Sequence, residues 1–155
     1  MRTSKELTST LFSKYELRPR YEAQRREFAL ALELTWKEGG WCNYLDETFY
    51  LDEELGLRPL IARGMTQGSG KGITMACGIQ RPVGVTRFVL SQALHIICFH
   101  MEGRDVKELE YATNRAMADA VQRLGKHEFA WYCHGDPDIF VGKLDLAGQR
   151  LVRTR

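Results

Sequence analysis

Two stretches decide how this chain is read: Trp41-Cys42-Asn43-Tyr44-Leu45-Asp46-Glu47 and Ile73-Thr74-Met75-Ala76-Cys77-Gly78-Ile79-Gln80-Arg81-Pro82. Each is a short run of mostly apolar residues that ends on polar side chains. Runs of this length, bounded by turn residues, read as buried strands. Asn43 and Tyr44 interrupt the first run, which is otherwise apolar. Between the two stretches, helical structure is expected within residues 52–63, ending at Arg63-Gly64, with Pro59 breaking or kinking it. Residues 65–72, which hold Gly68, Gly70 and Gly72, read as a connecting loop.

Upstream, residues 21–38 place Phe28, Leu32 and Trp36 four apart on one helical face, and Gly39-Gly40 stops that helix. Residues 1–20 read as a polar lead-in with a short helix, and Pro19 as a break. Downstream, residues 94–99 form a third apolar strand. One long helix over 104–124 follows, with Val106, Leu109, Ala116, Ala120 and Leu124 as its apolar stripe and Gly125 as its stop. Residues 129–133 and 139–144 are two last strands joined by the turn His134-Gly135-Asp136-Pro137-Asp138. Strands alternating with helices imply an α/β fold. Its expected sheet is mostly parallel, flanked by helices and buried on both faces, with a terminal β-hairpin at the edge. The expected organisation is the lead-in over 1–20 and a single α/β domain over 21–155.

Composition excludes several classes. The 155 residues are 44% hydrophobic and 27% charged, which is globular rather than disordered. A net charge of +2 gives no overall basic footprint of a stand-alone nucleic-acid binder. The arginines at 18, 20, 25 and 26 and at 150, 153 and 155 read as solvated surface. Cys42, Cys77, Cys98 and Cys133 are widely spaced with no C-x-x-C pair, and the last three sit in apolar runs. That favours reduced cysteines in a cytoplasmic setting. No apolar run approaches the roughly 20 residues a membrane helix needs, so a soluble protein with no membrane partner is expected. His95, His100, His127 and His134 show no zinc-ligand spacing.

Chemistry, if present, belongs to the strand ends. In an open parallel sheet, ligands bind outside the carboxyl ends of the strands, where Asp46-Glu47 and Gln80-Arg81-Pro82 fall. One carboxylate of an adjacent pair can hold Mg²⁺ through water, and its neighbour can orient or deprotonate an attacking water. A glutamine beside them can position that water. The structural alternatives are an acidic pair at a helix start and a loop residue ahead of a proline-fixed turn.

The order strand, Asp-Glu, helix, Gly-containing loop, strand, Gln-Arg-Pro resembles the FtsK/HerA group of P-loop, ring-forming, DNA-pumping ATPases. That group includes viral packaging and conjugation motors. The matching residues are Leu45-Asp46-Glu47, Ala62-Arg63-Gly64 with Lys71-Gly72-Ile73, and Gly78-Ile79-Gln80-Arg81-Pro82, followed by 89–93, 96–99 and Glu102-Gly103-Arg104-Asp105. The likeness covers about residues 40–125. It implies ATP and Mg²⁺ as cofactors, with Asp46 (the Walker B carboxylate) serving the metal, Glu47 the water and Gln80 the sensing of the γ-phosphate. It implies Arg63 or Arg81 as an arginine reaching a neighbour's phosphate. Double-stranded DNA is the implied partner, in a homo-oligomeric ring or with a chain that bears the phosphate loop.

The chain departs from that group at the phosphate loop. No G-x-x-x-x-G-K-[ST] motif (Walker A) precedes Asp46. Gly68-Ser69-Gly70-Lys71 is no substitute, because Met65 stands at the first glycine, Gly72 at the metal-binding hydroxyl, and the segment follows the Asp-Glu pair. The expectation is therefore a fragment or truncated form of an ATP-driven DNA translocase, from a virus or mobile element. It would hydrolyse ATP only when completed by a phosphate-loop half. The alternatives are a non-catalytic interaction subunit on the same scaffold, and an unrelated small α/β protein.

Overall fold

The computed structural model describes residues 15–85, 87–145 and 150–153. The expected short helix within 1–20 falls largely outside these residues, and 15–20 carry no regular element. The chain divides into two compact units, residues 1–80 and 81–155.

In the first unit, a 3₁₀ turn at Tyr21–Ala23 leads into α1, Gln24–Glu38. Gly39 ends the helix with φ +72°, and its N–H caps Thr35 O at 2.9 Å. A Cβ there would sit 2.7 Å from Lys71 O, so both the backbone angle and the close approach demand glycine. The two deciding stretches become β1, Cys42–Leu45, and β2, Thr74–Cys77. They pair in parallel, with Cys42 opposite Thr74 and Leu45 opposite Cys77. Parallel neighbours need a crossover, and here it holds a π-helical turn, Tyr50–Glu54, and then α2, Arg58–Gln67.

Two expectations for that crossover are corrected. Pro59 does not break α2. It lies in the first turn, where a missing N–H costs nothing. The helix also runs past Gly64 to Gln67, and Gly68–Lys71 continues as a 3₁₀ turn rather than an open loop. Leu45, Leu51, Leu57, Ile61 and Ile73 form this unit's core. Complete burial of Ile61 alone is worth about 1.5–3 kcal/mol. Asp52 is also buried, and the Arg58 guanidinium meets its two oxygens at 3.3 Å each.

In the second unit, α3, Arg87–Ser91, precedes a four-stranded sheet ordered β3-β4-β5-β6, antiparallel throughout. The strands are β3 His95–Cys98, β4 Glu128–Cys133, β5 Phe140–Asp145 and β6 Arg150–Arg153. The α/β class and the terminal β4–β5 hairpin are as expected, while β6 was not foreseen.

The expected single helix over 104–124 is two helices: α4, Arg104–Ala112, and α5, Arg115–Arg123. Asn114 causes the restart. Its Oδ1 accepts from Met117 N–H at 2.9 Å, satisfying an otherwise orphaned donor of the first turn. The break resets the helical phase, so Met117, Ala118 and Val121 are buried while Ala116 is exposed. These residues pack with Ile96, Cys98, Val106, Leu109, Leu124, Ala130 and Tyr132. Burial pushes the Cys98 thiol up to about 12, so it behaves as a small hydrophobe.

β3 is not buried on both faces as expected. Ile96 and Cys98 face the helices, while Ile97 is 61% and Phe99 52% exposed. Among the described residues β2 pairs only with β1 and β3 only with β4, so each keeps one open edge.

Candidate functional site

β1 and β2 run side by side, so their carboxyl ends deliver two polar segments to the same place. The ladder continues beyond the strands: Gly78 N–H donates to Leu45 O at 2.8 Å, and Thr48 N–H to Gly78 O at 2.9 Å. Asp46 and Glu47 therefore turn immediately beside the residues leading to Gln80. The Gln80 Nε2 amide donates to Glu47 Oε1 at 2.5 Å. Asp46 Oδ1 accepts from the Glu47 backbone N–H at 3.2 Å. All three side chains are exposed.

Glu47 holds φ +51°, a left-handed backbone. A non-glycine residue there costs roughly 1–2 kcal/mol. Such outliers persist where surrounding structure enforces them, and they cluster at functional sites. The enforcing contacts here are the Thr48–Gly78 hydrogen bond on one side and the buried Thr48 hydroxyl on the other, which donates to Leu45 O at 3.1 Å.

Tyr44, which interrupts the apolar run of its strand, also belongs to this site. Its hydroxyl donates to Asp46 Oδ1 at 3.4 Å. Chiefly the negative charge of Asp46 raises its phenol above the ordinary value, with desolvation, that hydrogen bond and the Glu47 charge adding to it. The signal was present in the sequence: residues two apart on a strand face the same way. Gly78 keeps this corner open, because a Cβ there would lie 3.2 Å from the Tyr44 hydroxyl and 3.3 Å from Asp46 Oδ1.

The two candidate arginines are engaged elsewhere. Arg63 pairs with Glu33 at 2.9 Å, and its guanidinium lies 4.5 Å from the Trp36 ring centre. Arg81 donates to Asp105 Oδ2 at 3.0 Å while remaining largely exposed. Lys71 sits at the start of β2, the opposite strand end from Asp46 and Glu47.

Among the described residues no group of three or more His, Cys, Asp or Glu side chains converges as a metal cage. Mg²⁺ does not require one. It usually takes one or two carboxylates and fills its other positions with water and substrate phosphate. Both oxygen contacts of Asp46 use Oδ1, which leaves Oδ2 for such a ligand role.

No family model matches the chain, and no curated protein matches it. Solved structures do. One is the genome packaging NTPase B204 of Sulfolobus turreted icosahedral virus 2 in complex with AMP, with TM-score 0.59 and 16% identity, covering 88% of this chain and 63% of that one. The same NTPase in complex with sulfate gives TM-score 0.63 and 20% identity over 74% of this chain and 60% of that one. B204, the DNA-packaging ATPase from Sulfolobus turreted icosahedral virus, gives 0.57 and 18% over 92% and 64%. The chain thus spans roughly three-fifths of the length of these neighbours. At this identity the likeness establishes the fold alone: the chain shares the α/β architecture of these packaging NTPases.

Proposed function

We propose that these residues form the carboxylate-bearing part of an ATP-driven, DNA-translocating ATPase of the packaging type, acting in a ring or with a chain that brings the phosphate loop. The observation that carries this reading is the Gln80–Glu47 hydrogen bond at 2.5 Å, beside Asp46, at the carboxyl ends of two parallel strands. The solved neighbours support it, being a packaging NTPase bound to AMP and to sulfate.

In this reading Glu47 orients and deprotonates the attacking water. The Gln80 amide steers the Glu47 carboxylate and, with nucleotide present, turns toward the γ-phosphate. Asp46, steadied by Tyr44, would hold Mg²⁺, which neutralises phosphate charge. Residues 1–155 contain no G-x-x-x-x-G-K-[ST] loop, so the reading requires the phosphate cradle to come from outside them. Arg63 or Arg81 would act on a neighbour's phosphate only after leaving Glu33 or Asp105.

A second reading is favoured by the open edges of β2 and β3. It makes the chain a non-catalytic subunit that pairs with another chain through those edges. Glu47→Gln separates the two. The substitution keeps the size and removes the charge. In an assembly completed by a phosphate-loop chain, it should retain bound ATP and lose turnover. Unchanged hydrolysis would remove Glu47 from the chemistry and leave the interaction subunit. The chain alone should bind Mg-ATP weakly or not at all by calorimetry, and a dissociation constant in the low micromolar range would contradict the reading.

A further inference from the structure

The two ends of the four-stranded sheet differ in how their edges are guarded. One end is β6, whose four residues include Arg150 and Arg153. Charged residues on an edge strand discourage pairing with another chain, as prolines do. The other end is β3, which has neither: residues 88–101 hold no Lys, Arg, Asp, Glu or Pro.

The phase of the backbone shows what this edge offers. His134 N–H donates to Leu94 O at 2.9 Å, one position beyond the His95–Cys133 pair. Alternate residues of an antiparallel strand turn their hydrogen-bonding groups to opposite sides. Leu94, Ile96 and Cys98 therefore turn toward β4, while His95 and Ile97, with Phe99 in the same phase, direct N–H and C=O groups to the open side. The same three residues are bare: His95 is exposed, and Ile97 and Phe99 are 61% and 52% exposed. Opposite Ile97 on β4 stands Trp131, whose Nε1 donates to His95 Nδ1 at 3.3 Å.

We propose that β3 pairs antiparallel with β3 of a second copy of this chain, about a two-fold axis at Ile97. The strand is self-complementary in that register. Ile97 stands opposite Ile97 of the second copy, and each gives its N–H to the other's carbonyl. His95 stands opposite Phe99, and Ile96 opposite Cys98 on the helix-covered face. Open-edge groups thus meet open-edge groups, and exposed side chains meet exposed ones. A slip of one residue would set the bare face of one copy against the helix-covered face of the other. No like charges oppose each other, and Ile97, Phe99 and Trp131 of both copies line one face of the joined sheet. So short an edge contact makes a weak dimer that forms with rising concentration. The inference rests on the open β3 edge of the second reading and names its occupant. It is tested without ATP, so its failure is seen separately from the failure of Glu47→Gln to separate binding from turnover.

The test is sedimentation equilibrium of the whole chain up to about 0.3 mM, where a weak specific interface is still populated. The parent should approach a dimer. Ile97→Lys and Ile97→Glu each set like charges face to face at the two-fold and should weaken dimerisation by roughly tenfold or more. An equal mixture of the two variants should recover much of the association, because Lys then faces Glu. Ile97 is 61% exposed, so both variants should melt as the dilute parent does. Tyr111→Lys, at a side chain 93% exposed on α4, is the control and should dimerise as the parent does. Amide exchange supplies a readout without substitution: the 95, 97 and 99 amides should slow as concentration rises, and those of 96 and 98 should not change. Four results would overturn the proposal: a parent that stays monomeric, dimerisation that ignores the charge at 97, no recovery on mixing, or association without slowed exchange at 95 and 97.

Discussion

Glu47 is the residue at which stability and function should oppose one another, and its backbone allows the size of that opposition to be worked out. Its φ of +51° places it in the left-handed region, at a cost of roughly 1–2 kcal/mol for a residue with a Cβ. Glycine removes that cost but brings extra freedom to the unfolded chain, worth about 0.4–1 kcal/mol in the other direction. The net expectation is that Glu47→Gly is about 1 kcal/mol more stable than Glu47→Ala. Both variants lose the Gln80 hydrogen bond, so that term cancels in the comparison. Urea unfolding read by linear extrapolation measures the difference. In a thermal melt it corresponds to about 2–4 °C for a chain of this size. In a helix interior the order of the two variants is reversed, by about 1 kcal/mol in favour of alanine. A more stable alanine variant would therefore refute a left-handed Glu47 and with it the argument that strain marks this position.

Two further outcomes follow from named contacts. Asn114→Ala removes the cap of α5 and should destabilise the chain by about 1 kcal/mol, whereas Asn114→Asp should keep most of it; equal losses in a urea melt would show that the cap is not what separates α4 from α5. The raised Tyr44 phenol rests chiefly on the Asp46 charge, so ultraviolet titration should show one tyrosine ionising above the ordinary value. In Asp46→Asn it should fall back toward that value, because a charge that disfavours the phenolate is gone; a Tyr44 midpoint that ignores the substitution would place the two side chains apart.

Much of the local structure was legible from residue pattern. The helix over 21–38, its stop at Gly39, and the apolar runs that became β1 and β2 are short-range features. Side-chain period and glycine chemistry act within a few residues. Asn114 carried an equally local signal for two helices instead of one. Leu109, Ala116 and Ala120 also fit one continuous stripe, and a cap outweighs such a stripe only when the restarted helix buries a different set. Pro59 misled for a similar reason: its effect depends on its place within the helix, and residues 52–63 did not reveal where α2 began.

What the sequence by itself determined was the α/β class, the places where strands end on Asp46, Glu47 and Gln80, and the lack of a phosphate-loop motif in these residues. Only the tertiary structure decided that Gln80 touches Glu47, that Tyr44 reaches Asp46, that Arg63 lies over Trp36, and that β3 pairs antiparallel with one face bare. The physical reason is range. Period and propensity are set by neighbours along the chain, whereas the left-handed turn at Glu47 and the meeting of two strand ends depend on hydrogen bonds between segments that the chain brings together only on folding.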